Sequence, residues 1–386
     1  MKESKKKHIV IIIPNTHEAK QYGLKVGGAE KQILNLLPHF EQQNGVKITL
    51  ITKYTEYIPH TNDLEIYNIS KNSILFILSS FFLLVKIHKK SRIHILNPHI
   101  LGITVVPAIM FHFFWSVPIL TKISGNIKQL IETRSKSKLT RKFDQNFVKF
   151  LIKNSDYFQV LNNEIRGNLI SSYNIDENKI FEISNAISIK SCEYKKPITE
   201  VKKFGFVGRI EKVKNIPTLL QAFKILSNEY PKVKLEIFGT GEEEKSILSL
   251  IEKMDLIKNI TLHGFLNDTK DIYSLIDCFI LPSFSEGISN SLLEAMTSGI
   301  PVIASKIPAN QKVIENNLTG LLFSPSSYKE LAAKMKYLIN NINSANIMRT
   351  RARKHIEQHF SSEVVTKELM RSYSTILLKV MKTWQK

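Results

Sequence analysis

What most constrains this chain is a pattern repeated along its length: a short, nearly continuous apolar run, a turn, then a longer stretch with helical periodicity. In the first half the runs are HIVIIIP (8–14), VKITLIT (46–52), RIHILN (92–97), PILTKIS (118–124) and YFQVLN (157–162). In the second they are KFGFVG (203–208), VKLEIFG (233–239), ITLHG (260–264), CFILP (278–282) and PVIAS (301–305). Helical stretches such as AEKQILNLLPHF (29–40) and IPTLLQAFKIL (216–226) lie between them. Strands alternating with helices predict an α/β architecture with parallel sheets.

The chain has 386 residues, too many for one ordinary domain and enough for two of about 190 each. A polar, irregular stretch at 185–203 marks the boundary. We expect an N-terminal domain over 1–186 and a C-terminal domain over 187–364, with a final helix at about 365–386 returning to the first. In the second series the glycine-bearing turns follow the C-terminal ends of strands, which is where open parallel sheets bind ligands.

Charge narrows the partners. The formal net charge is +20, and residues 66–155 hold fourteen Lys or Arg against only Glu132 and Asp144. Such a face suits anionic lipid, a phosphorylated substrate or simple solvation. Nucleic acid is disfavoured, because no recognised motif accompanies the charge and the nearby aromatics sit in apolar runs. The two cysteines, Cys192 and Cys278, have no metal-ligand spacing, and a cytoplasmic setting is the expectation. The basic start MKESKKK leads straight into HIVIIIP, which reads as a strand and not as a signal peptide. The apolar stretches at 74–85 and 100–115 fall short of the ~20 residues a spanning helix needs.

The segment PSFSEGISNSLLEAMTSGIPVIAS (282–305) carries two carboxylates, Glu286 and Glu294, around the start of an apolar helix. Gly299 and Pro301 stop that helix. Eight helical residues would separate the carboxylates by ~12 Å along the axis, too far for both to act on one atom. They can instead bracket an extended ligand, with the amides of the helix N-terminus between them offered to a phosphate.

The pattern SEGISNSLLEAMTSGIPVIAS resembles the signature of the retaining GT-B glycosyltransferases of family 4, the glycogen-synthase-like group 1 family. FVGRIEKVKN (206–215), EIFGTGEEE (236–244), LHGF (262–265) and VGGAEKQ (26–32) agree with it in order and spacing. The resemblance covers nearly the whole chain, is strongest over 203–325 and is looser in the first half. It implies two Rossmann-like domains facing across a cleft, a nucleotide-diphosphate sugar as donor (a UDP-sugar first), and no other cofactor. It assigns Arg209 and Lys214 to the donor diphosphate, Glu286 to the sugar hydroxyls and Glu294 to the ribose. Amides around Gly287, Ile288, Ser289 and Asn290 would meet the phosphate, with Gly239 and Gly241 in the strand-end turn, and His263 and Phe265 by the base. Gly27 and Gly28 would approach the phosphate from the other domain. No Asp-x-Asp occurs, so no metal is expected.

On the acceptor side the candidates are His99, Ser124 and Gly125. Family members often carry a His where this chain has Ser124, which puts a His-based role there in doubt. A front-face retaining mechanism needs no protein base, so activity is compatible with Ser124. A lone strand-end His such as His99 is more often packed than functional, and Asn185 reads as a turn cap. The resemblance points to transfer of a sugar onto a glycan or lipid-linked acceptor in cell-surface polysaccharide synthesis, and the basic segment 66–155, with apolar runs beside it, suggests that the first domain rests on an anionic inner leaflet. An epimerase or phosphorylase of similar fold fits the motifs less well. From another class, a non-catalytic nucleotide-sugar-binding scaffold stays open because of Ser124.

Overall fold

The computed structural model describes residues 6–13, 28–52, 61–69, 72–134, 137–266 and 269–383. It divides into two compact units, Met1–Ala186 with Ser362–Lys386, and Ile187–Ser361.

The first unit contains β1 (Lys7–Ile12), β2 (Val46–Thr52), β3 (Leu64–Asn68), β4 (Ile95–Pro98), β5 (Leu120–Ile123), β6 (Tyr157–Val160) and β7 (Ile180–Glu182). The strands pair in the orders β3-β2-β1-β4 and β5-β6-β7, all parallel, and a parallel bridge between Leu96 and Ile119 links β4 to the segment entering β5. Period-two geometry with both faces covered explains why IVIII (9–13) is apolar throughout. Ile9, Ile11 and Ile13 pack to one side with Ile33, Leu37 and Ile48, while Val10 and Ile12 pack to the other with Phe76, Leu84 and Phe111. The C-terminal helix Ser362–Thr383 belongs to the first of these layers through Val365, Leu369, Tyr373 and Ile376, a stripe at helical spacing.

The second unit contains β8 (Lys203–Val207), β9 (Lys234–Phe238), β10 (Ile260–Gly264), β11 (Cys278–Leu281), β12 (Val302–Ser305) and β13 (Leu321–Phe323), ordered β10-β9-β8-β11-β12-β13 and wholly parallel. This is the doubly wound order, with the winding direction reversing between β8 and β11. Phe204, Phe206, Leu235 and Ile237 join the helix Ile216–Glu229 in its core. Three strands lie outside the runs read from the sequence: β3, β7 and β13. LEIYN carries Glu65, which pairs with Lys47 on β2 at 2.7 Å, and IFE and LLF span three residues each. Stretches so short or so polar become strands by docking on an existing sheet edge, not by their own periodicity.

The helix Asn290–Thr297 is fixed at both ends. Ser289 caps its N-terminus by accepting from the Leu292 amide. At the other end Gly299 takes φ +67°, and the Arg349 guanidinium, 2% exposed, lies 4.6 Å from the centre of the Tyr194 ring. Arg349 donates to the carbonyls of Gly299 and Lys195, and Arg353 donates to that of Thr297. Two cations thus sit where a helix presents unpaired carbonyls and the negative end of its dipole.

Two expectations for stability follow from buried polar groups. Replacing Arg349 with Met leaves the Gly299 and Lys195 carbonyls without this donor, and a loss of about 3 kcal/mol is expected in denaturant unfolding; an unchanged midpoint would show that the clamp is not structural. His8, wholly buried on β1, pairs through Nε2 with the Thr49 hydroxyl at 2.8 Å and through Nδ1 with Ser91. Burial above all lowers its pKa to about 4. The unfolded chain protonates this ring near pH 6.5 while the folded chain resists until about 4, so its contribution is full above 6.5 and is lost as pH falls towards 4. The span corresponds to about 3 kcal/mol at most. His8→Gln should flatten that part of the stability–pH curve, and a curve of wild-type slope would remove His8 as its source.

Candidate functional site

Parallel strands deliver all their C-terminal ends to one edge, so the turns after β8, β9, β10 and β11 lie together along one rim of the second unit. Backbone hydrogen bonds tie these turns to one another. Ile210 N donates to Thr240 O (3.0 Å), Glu243 N to Ile210 O (3.0 Å), Gly239 N to Gly264 O (2.6 Å) and Phe284 N to Val213 O (2.9 Å). Gly239 and Gly241 make this possible. A Cβ at Gly239 would collide with the Gly208 carbonyl, and one at Gly241 with that of Ile210. Gly239 also holds φ at +132°, which L residues rarely adopt. Both glycines thereby shape the turn that carries Arg209.

At the reversal of strand order, the turn after β8 meets the turn after β11. Lys214 Nζ lies 2.6 Å from Glu286 Oε1, with the two side chains 15% and 10% exposed. Ser283 donates to the same carboxylate oxygen at 2.7 Å. Asn215 anchors the arrangement: it is buried, takes the left-handed conformation (φ +53°), and its amide donates to the carbonyls of Pro282 and Pro325. Arg209 lies earlier on the same turn, 74% exposed, with its guanidinium 2.5 Å from Glu211.

From Glu286 the chain runs through Gly287 and Ile288 to Ser289, the helix cap. The Ile288 side chain is buried, so its anchorage orients the backbone of this turn. Glu294 lies one turn into the helix, 4% exposed, and the Tyr273 hydroxyl is 3.0 Å from its Oε2 and 3.0 Å from the Ser291 carbonyl. Burial, then the charge of Glu294, pushes the Tyr273 pKa well up, so the phenol stays protonated and can donate. His263 stacks on Phe238, ring centres 4.4 Å apart, with Nε2 2.7 Å from Glu236. Phe265 follows it, 38% exposed.

In the first unit, His99 follows β4 and is 1% exposed. Its Nε2 pairs with Asn97 Oδ1 at 3.1 Å, an oxygen that also accepts from the Tyr373 hydroxyl at 2.7 Å. Burial holds the ring neutral by lowering its pKa well below the usual range, and no described group hydrogen-bonds its buried Nδ1. Lys122 on β5 is also buried, with a pKa lowered to about 8, and donates to Asn185 over 3.4 Å. Ser124, exposed, and Gly125 follow β5, and a Cβ at Gly125 would meet nothing within 4 Å. Gly28 opens the helix Gly28–Phe40; Gly27 lies outside the described residues.

The structure thus brings Lys214, Glu286, the 287–290 turn and Glu294 into one continuous arrangement. Four residues that hold it were not singled out from the sequence: Ser283, Asn215, Tyr273 and Arg349. Asn215, Tyr273 and Arg349 act on partners distant in the chain, so no local spacing marks them, and Ser283, three residues before Glu286, is one serine in a serine-rich turn. Among the described residues, no three His, Cys, Asp or Glu side chains come together as a metal site needs. A cavity of about 470 Å³ lined by Val201, Tyr230, Val233 and Ile342 opens at the opposite, N-terminal edge of the second sheet, away from these turns.

Residues 193–355 match the family described as Glycosyl transferases group 1. The chain is 29% identical over 235 residues to the capsular polysaccharide biosynthesis glycosyltransferase CapM of Staphylococcus aureus, covering 56% of this chain and 61% of that protein. It is 31% identical over 176 residues to UDP-Gal:alpha-D-GlcNAc-diphosphoundecaprenol alpha-1,3-galactosyltransferase of Escherichia coli, covering 42% of this chain and 46% of that one. The matched regions therefore span about half to three-fifths of these relatives. In structure the chain superposes on Anabaena Alr3699/HepE, solved in complex with UDP-glucose, with a TM-score of 0.73 over 95% of this chain and 99% of that one, at 15% identity. The fold is GT-B, an α/β fold of two Rossmann-like domains, and residues 193–355 are similar to the group 1 glycosyltransferases.

Proposed function

We propose that this protein transfers a sugar, with retention of configuration, from a nucleotide-diphosphate donor to a glycan or lipid-linked acceptor in cell-surface polysaccharide synthesis. The observation that carries the reading is the half-buried Lys214–Glu286 pair at the strand-order reversal, immediately before a capped helix that holds Glu294 one turn in. An extended ligand laid along this rim meets a sugar-binding carboxylate, a cation, a run of turn amides and a second carboxylate, in that order. The capsular and undecaprenol-linked relatives support the acceptor class, and the UDP-glucose complex of HepE supports a UDP-sugar as donor.

In the reaction, the bond from the anomeric carbon to the β-phosphate oxygen breaks and the acceptor oxygen bonds that carbon on the same face. The acceptor proton passes to the departing phosphate, so no protein base is required. Lys214, with Arg209 swinging from Glu211, neutralises the charge that develops on the leaving group, which in a partly buried site is worth several kcal/mol. The neutralisation is assigned to these side chains, with no metal or further cofactor. Glu286 is the hinge of the exchange: donor phosphate takes Lys214 from it, and its carboxylate turns to the sugar hydroxyls.

Calorimetric titration with UDP, GDP and ADP tests the donor site. One diphosphate, UDP first, should bind, and Glu294→Ala should weaken it about tenfold or more, roughly 1.4 kcal/mol. Glu294→Gln keeps the packing and should show most of that loss. No binding by any of the three, in a folded protein, would sink the reading. Glu286→Gln should hold UDP within a few-fold of wild type while transfer falls at least a hundredfold, about 2.7 kcal/mol in the transition state. Equal losses in UDP binding and in turnover would instead make Glu286 a binding residue only.

A further inference from the structure

Three helices of the first unit leave an apolar face uncovered. Ser73–Lys90, Val105–Trp115 and Lys138–Lys153 neighbour one another, the middle one packing against both others. Each buries one side in the core: Phe76 and Leu84, Ala108 and Phe111, Leu151 and Ile152. Each also exposes large apolar side chains on another side, where a water-facing helix would be polar. Phe82 is 67% exposed, Phe113 81%, Phe114 65%, Leu139 86%, Phe143 71% and Phe150 49%. These are not scattered. Phe82 and Phe114 both meet Phe81, at 5.6 and 6.2 Å between ring centres, and Phe113 meets Phe114 at 5.4 Å, so the rings form one cluster across two helices. On the third helix Leu139, Phe143, Phe147 and Phe150 recur at i, i+4, i+8 and i+11, a single stripe.

Charge identifies what covers this face. The third helix carries Lys138, Arg141, Lys142, Lys149 and Lys153 against Asp144 alone, with Lys138, Lys142, Lys149 and Lys153 recurring one position before or three after stripe residues. The first helix ends in Lys86, Lys89 and Lys90 without one acidic residue. A second copy is a poor fit, because a two-fold contact would set each basic rim against its twin. An anionic bilayer satisfies both parts at once: aromatic rings enter the headgroup–acyl boundary while lysine and arginine heads reach up to phosphates. Among the described residues no helix is long and apolar enough to cross a membrane, so the contact is with its surface.

We propose that this aromatic face, rimmed by the cations of Lys86–Lys90 and Lys138–Lys153, is a docking surface for an anionic lipid bilayer. Docking is separate from the transfer reading and is read without nucleotide or acceptor. The probe is the full chain co-sedimented with vesicles of phosphatidylcholine alone or with phosphatidylglycerol. Binding should require phosphatidylglycerol and weaken with salt, and Phe113→Ser with Phe143→Ser should lower partitioning at least tenfold at unchanged melting temperature. Lys142→Gln with Lys149→Gln should reduce the salt dependence while sparing the apolar contact. In a chain with Trp384→Phe, Trp115 should be quenched by brominated lipid. Three results would overturn the proposal: serine variants that partition like wild type, equal binding to phosphatidylcholine vesicles, or a lipid-free dimer that the same substitutions dissociate. The last would make the face a contact between copies. Failure of any of these leaves UDP binding untouched, so the two readings fail separately.

Discussion

The second unit depends on the reversal of strand order in a wholly parallel sheet. Because β9 and β10 lie to one side of β8 and β11 to β13 to the other, the turns after β8 and β11 flank a gap at the rim where the winding reverses, joined across it by the Phe284–Val213 backbone hydrogen bond. Lys214 and Glu286 occupy that gap. Neither charge would stay there alone, since a partly buried ion without a partner is costly. As a pair, with Ser283 donating to the same carboxylate oxygen, they satisfy one another.

The surrounding structure is organised to keep that gap from relaxing. Asn215 pins the first turn to the ends of two other strands, Gly239 and Gly241 let a neighbouring turn lie against it backbone to backbone, and two arginines hold the far end of the helix that follows. Position is thus set by backbone and by buried polar contacts, which leave the outward side chains at liberty to vary. The first unit shows the same economy of means in a different place. Its core is completed by a helix from the far end of the chain, while three of its own helices keep aromatic residues outside.

Much of the fold was legible because buried parallel strands are apolar without interruption, and ten of them could be marked from that alone. LEIYN, IFE and LLF could not be marked, since edge strands of this kind owe their form to the neighbour they dock on. In the site, the spacing of Glu286, Gly287 and Glu294 and the turns around Arg209 and Lys214 were visible as local patterns. What the spacing did not reveal is that Lys214 and Glu286, 72 positions apart, face each other, or that Glu294 is held by Tyr273 and sits almost wholly buried. A carboxylate looks the same in a sequence whether it is solvated or enclosed.

The sequence by itself determined the α/β class, the repeated strand–turn–helix units and the residue types at the turns, because those follow from local periodicity and from backbone conformations open only to certain residues. The tertiary structure alone decided which turns meet, which charges pair, and which aromatic residues remain outside the core. Those outcomes depend on contacts between residues far apart in the chain, and no local pattern encodes where a sheet reverses or which helix face the fold leaves uncovered.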